Sequence, residues 1–377
     1  MEKVFINPIT NKQWQLEVDG LTIRTCLHGG RVKEIQCDSA FQVRSKAASA
    51  MMEQLRKGFV YQKPEAATGE AICHRFVGKD NNGFMPLATS SQRDDFFLTR
   101  VSGNFDDEIL YHFDGNGEII ETVSLGAKRM TYEQILCPND TLLMNNSYLL
   151  EQFSLHTHEI KPFANRRNSM KTMLDGSGNL ALWYTGEEIV VFDFVENREI
   201  WKECVKCRKS EDLAFAYYCF GMLSPQQSKV AYQVTKGAYV IVDLNTARKV
   251  VIHNDGWHPF FSPHDQCFSV GGKFYQTETG EEIESPLPFT VRQGLSLSDT
   301  CIVRIRGSLM AVQQERGNSP IDLWDTDSRK LIASICDPFV VKQTNFAFTD
   351  KGLVLHTDYG TMSIYQCTDE KEGLCSG

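Results

Sequence analysis

Three groups of side chains have types and spacings that could do chemistry. Cys204 and Cys207, in "ECVKCRKS", have the CxxC spacing of zinc-binding and redox-active pairs. A tetrahedral zinc site needs a second CxxC or a HxxxH partner, which the sequence does not supply, so free structural thiols are expected there. His253, His258 and His264 lie near Asp255 in "HNDGWHPFFSPH", a donor set suited to a metal. Trp257, Phe260 and Phe261 in the same stretch have the character of packing residues, and the segment falls where one structural repeat passes to the next. No metal site and no cofactor is therefore expected.

The third group is basic. Arg24, Arg31, Lys33, Arg44, Lys46, Arg56 and Lys57 lie near His28 and Trp14, and phosphate-tracking surfaces combine cations with stacking groups in this way. Of these, His28, Arg31, Lys33, Arg24 and Lys46 are the candidate nucleic-acid contacts. The alternative is that they are solvated charges on a helix and a sheet edge. Trp14 alternates with Leu16 and Val18, which assigns it to a strand's apolar side. The acidic turns "NFDDE" and "DTDSR" lack the ligand pattern of a calcium loop. The chain has no G-x-S-x-G elbow, no H-E-x-x-H helix and no G-x-x-x-x-G-K loop, so a non-enzymatic protein is expected.

The chain has 377 residues, 42% of them hydrophobic and 23% charged, as in a soluble globular protein. Its start, "MEKVFINPITNKQWQLEVDG", lacks a secretory pattern, and no run reaches the apolar length of a membrane span. Twelve cysteines are scattered singly, mostly in apolar runs such as "FAYYCFGM" and "DQCFSVGG". Both features point to a cytoplasmic chain with free thiols. The net charge of −9 is uneven: residues 1–66 hold 10 Lys and Arg against 7 Asp and Glu, leaving the rest strongly acidic. An acidic body repels polyphosphate, so any nucleic-acid contact falls to the N-terminal segment.

The elements follow two grammars. Residues 1–63 read as a small sheet with one helix across it. Strand-like runs at 13–18, 21–28 and 31–37 precede the helix "AFQVRSKAASAMMEQLRK", the first two joined through Asp19-Gly20. Asp38 or Ser39 is the expected N-cap and Gly58 the stop, with Phe41, Ala48, Met51, Met52 and Leu55 on the buried face. Residues 64–69 read as a linker.

From about residue 70, short alternating runs recur between turn clusters. The final apolar residues of the third strand of each repeat are Tyr111, Phe153, Phe192, Val242, Tyr275, Trp324 and Tyr365. Six intervals span 254 residues, about 42 per repeat, the period of four-stranded propeller blades. Seven blades over residues 70–367 are expected, with residues 70–78 supplying the last blade's fourth strand and 368–377 a tail. The fold class is thus mainly β: a seven-bladed β-propeller with a small α+β N-terminal domain.

The turn-plus-strand "SP-x-x-x-x-V" and the Asp/Thr turns of "VIVDLNTARK" and "DLWDTDSRK" resemble WD-repeat-like propellers across about residues 70–367. Only "LWD" at 323–325 has the Trp-Asp pair, and no Gly-His pair opens a blade. Residues 1–63 resemble the WGR domain. "NKQWQLEVDG" fits its opening strand, and "CDSAFQVRSKAASAMMEQLRKGFV" fits its closing turn and helix. In place of the family's Trp-Gly-Arg the chain has Leu27-His28-Gly29-Gly30-Arg31, and the longer loop that usually follows is missing. The resemblance implies a module that in its best-known members packs the Trp on a DNA end, with Arg31 here the residue placed to reach a phosphate.

These readings lead to a non-enzymatic interaction protein. Its acidic propeller face and WGR-like module are expected to bind a protein partner, in one form as an inhibitor or immunity-type protein covering a basic enzyme or toxin surface. The alternative is a nucleic-acid-associated factor holding DNA or RNA ends. Nothing in the sequence fixes the oligomeric state.

Overall fold

The computed structural model describes residues 1–78, 85–90, 92–101, 107–126, 132, 134–146, 149–164, 174–184, 188–205, 221–235, 237–291, 301–315, 319–340 and 342–368. It is almost wholly β. No described helix is long and apolar enough to cross a membrane.

The N-terminal elements are β1 (Glu2–Ile6), β2 (Gln13–Asp19), β3 (Thr22–Leu27), β4 (Lys33–Gln36), α1 (Ala40–Arg56), β5 (Val60–Gln62) and β6 (Ala71–Phe76). The β2–β3 hairpin pairs Asp19 with Thr22 around Gly20, whose φ of 55° suits the tight turn expected there. Trp14, Leu16 and Ile23 are buried, with Trp14 edge-on to Phe5 at 5.2 Å. Strand β1 was not legible in the sequence, and β4 starts two residues later than expected. Ser39 caps α1 by accepting from the Gln42 N–H at 3.2 Å. The buried helix face is corrected: Val43 and Ala47 join Met51, Met52 and Leu55, whereas Phe41 is 74% exposed and Ala48 only partly buried. The buried stripe runs through Val43, Ala47, Met51 and Leu55 at four-residue spacing, and Phe41 lies off it.

Six four-stranded antiparallel sheets follow, each ordered as consecutive strands. Their first strands are Leu87–Thr89, Gln134–Leu136, Leu174–Ser177, Gly221–Leu223, Phe260–Phe261 and Ile302–Arg306. Neighbouring blades share cores, as the stacking argument requires. Tyr239, Ile241 and Ile252 of the fourth blade, for example, pack with Phe261, Phe268 and Tyr275 of the fifth.

The described residues form six blades, not the seven that the repeat implies. The last repeat, Thr344–Phe348, Gly352–Thr357 and Thr361–Gln366, lies in a nine-stranded sheet with β6, β5, β1, β2, β3 and β4 in that order. β6 pairs with Thr361–Gln366 on one side and with β5 on the other, so this sheet does not stop after four strands. Thr344–Phe348 still packs beside both Leu87–Thr89 and Ile302–Arg306, which closes the ring through this sheet. The N-terminal elements extend it outward. One apolar core runs from Phe5, Trp14 and Leu55 through Phe339 to Leu323, Phe346 and Leu355.

The strand Gly352–Thr357 is buried throughout. Gly352 is required by close approach, since a Cβ there would stand 2.1 Å from the Tyr365 carbonyl oxygen. His356 on the same strand is 0% exposed, and neither ring nitrogen has a well-formed hydrogen bond. Burial pushes its pKa down to about 4, only partly offset by the Pro86 and Met85 backbone. The ring is therefore neutral when folded and takes up a proton near pH 6.5 when unfolded. Stability is fully present above about pH 6.5 and falls as pH drops towards about 4, by about 3 kcal/mol. Urea midpoints measured from pH 7 to 4.5 should show this slope and a flatter one for His356→Leu. Parallel slopes for the two proteins would remove His356 as the cause.

Candidate protein-binding face

In an antiparallel meander the turns joining the first to the second strand and the third to the fourth emerge on one side of the sheet. In this chain those turns share one face of the ring, and each blade is stitched to the next there. Ser90 donates to Asp140 at 3.1 Å between the first and second blades. Asn139 donates to the Phe194 carbonyl at 3.0 Å between the second and third. The Asn179 N–H donates to Gln227 at 3.3 Å between the third and fourth.

Between the fourth and fifth blades the link is a buried carboxylate. Asp265, 4% exposed, accepts from the Ser224 hydroxyl at 2.5 Å, the Ser228 hydroxyl at 2.7 Å and the Gln226 N–H at 3.2 Å. His264 faces Asp327 of the sixth blade at 3.1 Å. Arg306 reaches the Thr349 carbonyl and Asp350 of the closing sheet. The Asp350 N–H then donates to Asp94 of the first blade at 2.8 Å. The circuit is complete, and it fixes the turns relative to one another.

The turns after the third strands repeat one design. Asp193, Asp243 and Asp325 each accept backbone N–H or hydroxyl bonds from residues two and three positions on, with Asp243 held by Asn245 at 3.0 Å and Thr246 at 2.8 Å. The residue four after each Asp takes left-handed backbone: Asn197 at φ 52°, Ala247 at 59° and Arg329 at 57°. The acidic turn "DTDSR" is thus turn chemistry. The Ser328 hydroxyl leads the bonds that hold the Asp325 carboxyl below its usual pKa, against opposing burial.

The electrostatics of this face are acidic. Its turns carry Asp94, Asp95, Asp114, Glu118, Asp140, Glu159, Glu196, Glu278, Glu281, Asp327 and Asp350 against Arg93, Arg248, Arg329 and Lys351. Some carboxylates are matched from strand ends. Lys229 bridges Glu278 at 2.7 Å and Asp243 at 3.2 Å. Burial opposes its charge, but those two bonds prevail and hold its pKa above the ordinary value. The acidic excess survives such pairing on a surface whose backbone is fixed.

No protein-family model and no curated protein sequence matches the chain. Among solved structures, a chain of the mitotic checkpoint complex superposes with a TM-score of 0.54 at 10% identity, covering 82% of this chain and 98% of that one. BamB from Moraxella catarrhalis gives 0.48 at 13% identity, covering 74% and 84%. The fold is a β-propeller. At these identities the likeness extends to the fold alone.

The five nucleic-acid candidates divide between the two sides of the N-terminal sheet. Arg24 lies on the side away from α1, where Glu34 holds its Nε at 3.0 Å and Glu17 and Asp19 lie within 3.8 Å. Lys33 alternates with Ile35 on the helix side, near Glu53, and Lys46 is on α1 itself, half-buried. His28 and Arg31 are exposed in the intervening turn. Trp14, buried against Phe5, presents no stacking face.

Of the remaining candidates, Phe260 and Phe261 are buried blade packing and His264 serves the circuit. Cys204 is exposed with its thiol 3.6 Å from Glu188, and Cys207 lies outside the described residues. The residues that build the face were missed in the sequence. The available signal was the repeated Ser-Pro turn at 224–225 and 262–263, whose serine hydroxyls cap the following turn.

Proposed function

We propose that the chain is a non-enzymatic, cytoplasmic interaction protein that binds a basic protein partner on the turn face of its propeller. The observation that carries this reading is the closed circuit of turn-to-turn bonds under an acidic rim. A preorganised charged surface loses little conformational entropy on binding and steers a partner of opposite charge. One concrete form is an inhibitor or immunity-type protein covering the basic active surface of an enzyme or toxin. The WGR-like module, with Leu27-His28-Gly29-Gly30-Arg31 in place of the family motif, is the second docking element, held at the outer end of the closing sheet.

The test is capture from the source cell with wild-type protein and with Glu278→Lys/Glu281→Lys/Asp327→Lys. The expected partner is basic, its capture weakens as salt rises, and the reversed-charge variant loses it by roughly tenfold or more. Capture of the same partner by both proteins at equal strength would count against this face.

A further inference from the structure

The propeller's first strands pack side by side around the ring's centre, and two opposite charges stand on strands from opposite sides of that ring, close enough to influence one another. Asp175 comes from Leu174–Ser177 of the third blade and Arg304 from Ile302–Arg306 of the sixth. Protein surrounds both, yet Arg304 is exposed and Asp175 only partly buried, so each keeps an open side towards the ring's centre. The two attract each other, but no direct bond joins them.

Each is anchored where it stands. Arg304 donates from Nε to the Phe346 carbonyl at 3.0 Å, from Nη1 to the Val303 carbonyl at 3.0 Å and from Nη2 to Asn345 at 3.2 Å. A guanidinium has five N–H groups, so two remain for the ring's centre. One Asp175 oxygen accepts the Leu223 N–H at 2.7 Å, and the other is open. Neither group can swing across to its counterpart without giving up these bonds.

The pair is incompletely compensated. Burial pushes the Asp175 carboxyl up to about 6 against the Leu223 N–H and the Arg304 charge. Burial likewise draws the Arg304 guanidinium below its ordinary value, with Asp175 opposing. An anion bound at Arg304 alone is repelled by Asp175, and a cation at Asp175 alone by Arg304. A molecule with both charges satisfies each end at once, on groups already fixed in place.

The geometry points to a small zwitterion as the ligand of the hub, its carboxylate accepting from the free Arg304 N–H groups and its ammonium donating to the open Asp175 oxygen. The site lies inside the ring and is independent of the turn face.

Calorimetric titration of the full chain with glycine, β-alanine, γ-aminobutyrate and 6-aminohexanoate samples the span between the charges. Acetate and methylammonium serve as one-ended controls. One zwitterion should bind saturably and roughly tenfold or more tighter than either control. Asp175→Asn, which keeps an acceptor for the Leu223 N–H, and Arg304→Gln should each abolish it. On the wild-type protein, binding should fade as pH drops through about 6, where Asp175 loses its charge. That profile, with Asp175→Asn, decides the matter should Arg304→Gln fail to fold. Absence of binding at millimolar zwitterion, equal binding of acetate, or undiminished binding by Asp175→Asn overturns the assignment.

Discussion

Deletion of residues 70–78 is expected to abolish the folded protein and leave aggregates. Strand β6 is interior to the nine-stranded sheet: Met362, Ser363 and Ile364 pair with Arg75, His74 and Cys73 on one side, while Tyr61 and Gln62 pair with His74 and Cys73 on the other. Removing it strips both neighbours of a partner and leaves the edge of Thr361–Gln366, every residue of which is buried, open to other chains. The deletion also takes away the buried Ala71, Ile72, Cys73 and Val77. At about 1.5–3 kcal/mol each for Ile72 and Val77, with smaller contributions from Ala71 and Cys73, that loss is a large part of the stability of an ordinary domain. Size-exclusion chromatography and calorimetry of the deletion protein test this. An unchanged melting temperature and an unchanged elution volume would show that the ring closes without β6.

How the chain organises itself was legible in the sequence to the extent that physics is local. Tyr111, Phe153, Phe192, Val242, Tyr275 and Trp324 all fall on third strands of blades because alternation, turn residues and a near-constant period report a repeating unit. Tyr365 falls on the corresponding strand of the larger sheet. What periodicity does not report is where a sheet ends. β6 reads as a fourth strand, and only its second edge, filled by β5, turns the last repeat into part of a longer sheet.

The same limit applies to the site. An Asp in "SPHDQ" looks like turn chemistry, and its three donors come from another blade some forty residues away. Lys3 is a middle case. It alternates with Phe5 and Asn7, which marks it as inward-facing once β1 is known, but Asp337, the carboxylate that most favours its charge, lies near the far end of the chain.

Lys3 carries the second large effect. Its Nζ lies 3.4 Å from His74 Nε2, and it sits 4.6 Å from the centre of the Tyr61 ring. An ammonium only donates, so His74 Nε2 accepts, and Nδ1 carries the proton and donates to the Ser363 hydroxyl at 2.9 Å. Ser363 in turn stands close enough to Asp337 to favour its charged form, and Asp337 accepts from the Tyr365 hydroxyl at 3.0 Å and the Phe339 N–H at 2.7 Å. The order is lysine, imidazole, serine, carboxylate: a bridged ion pair across the junction of β1 with the closing sheet. The hydroxyl stands between imidazole and carboxylate, with His74 and Ser363 fully buried, so the chain of bonds is structural and not a hydrolytic triad.

Burial lowers the Lys3 pKa and raises that of Asp337, so each charge depends on the other. Asp337→Ala leaves the ammonium uncompensated and should cost about 3–5 kcal/mol, with Lys3→Met costing somewhat less because Asp337 keeps three donors. The double variant Lys3→Met/Asp337→Ala should cost less than the two single changes together, by about 1–3 kcal/mol. Urea denaturation of the four proteins measures that difference. Strictly additive costs would mean that the two charges are satisfied independently, and that β1 is held to the closing sheet by strand pairing and the apolar core around Phe5 and Trp14 alone.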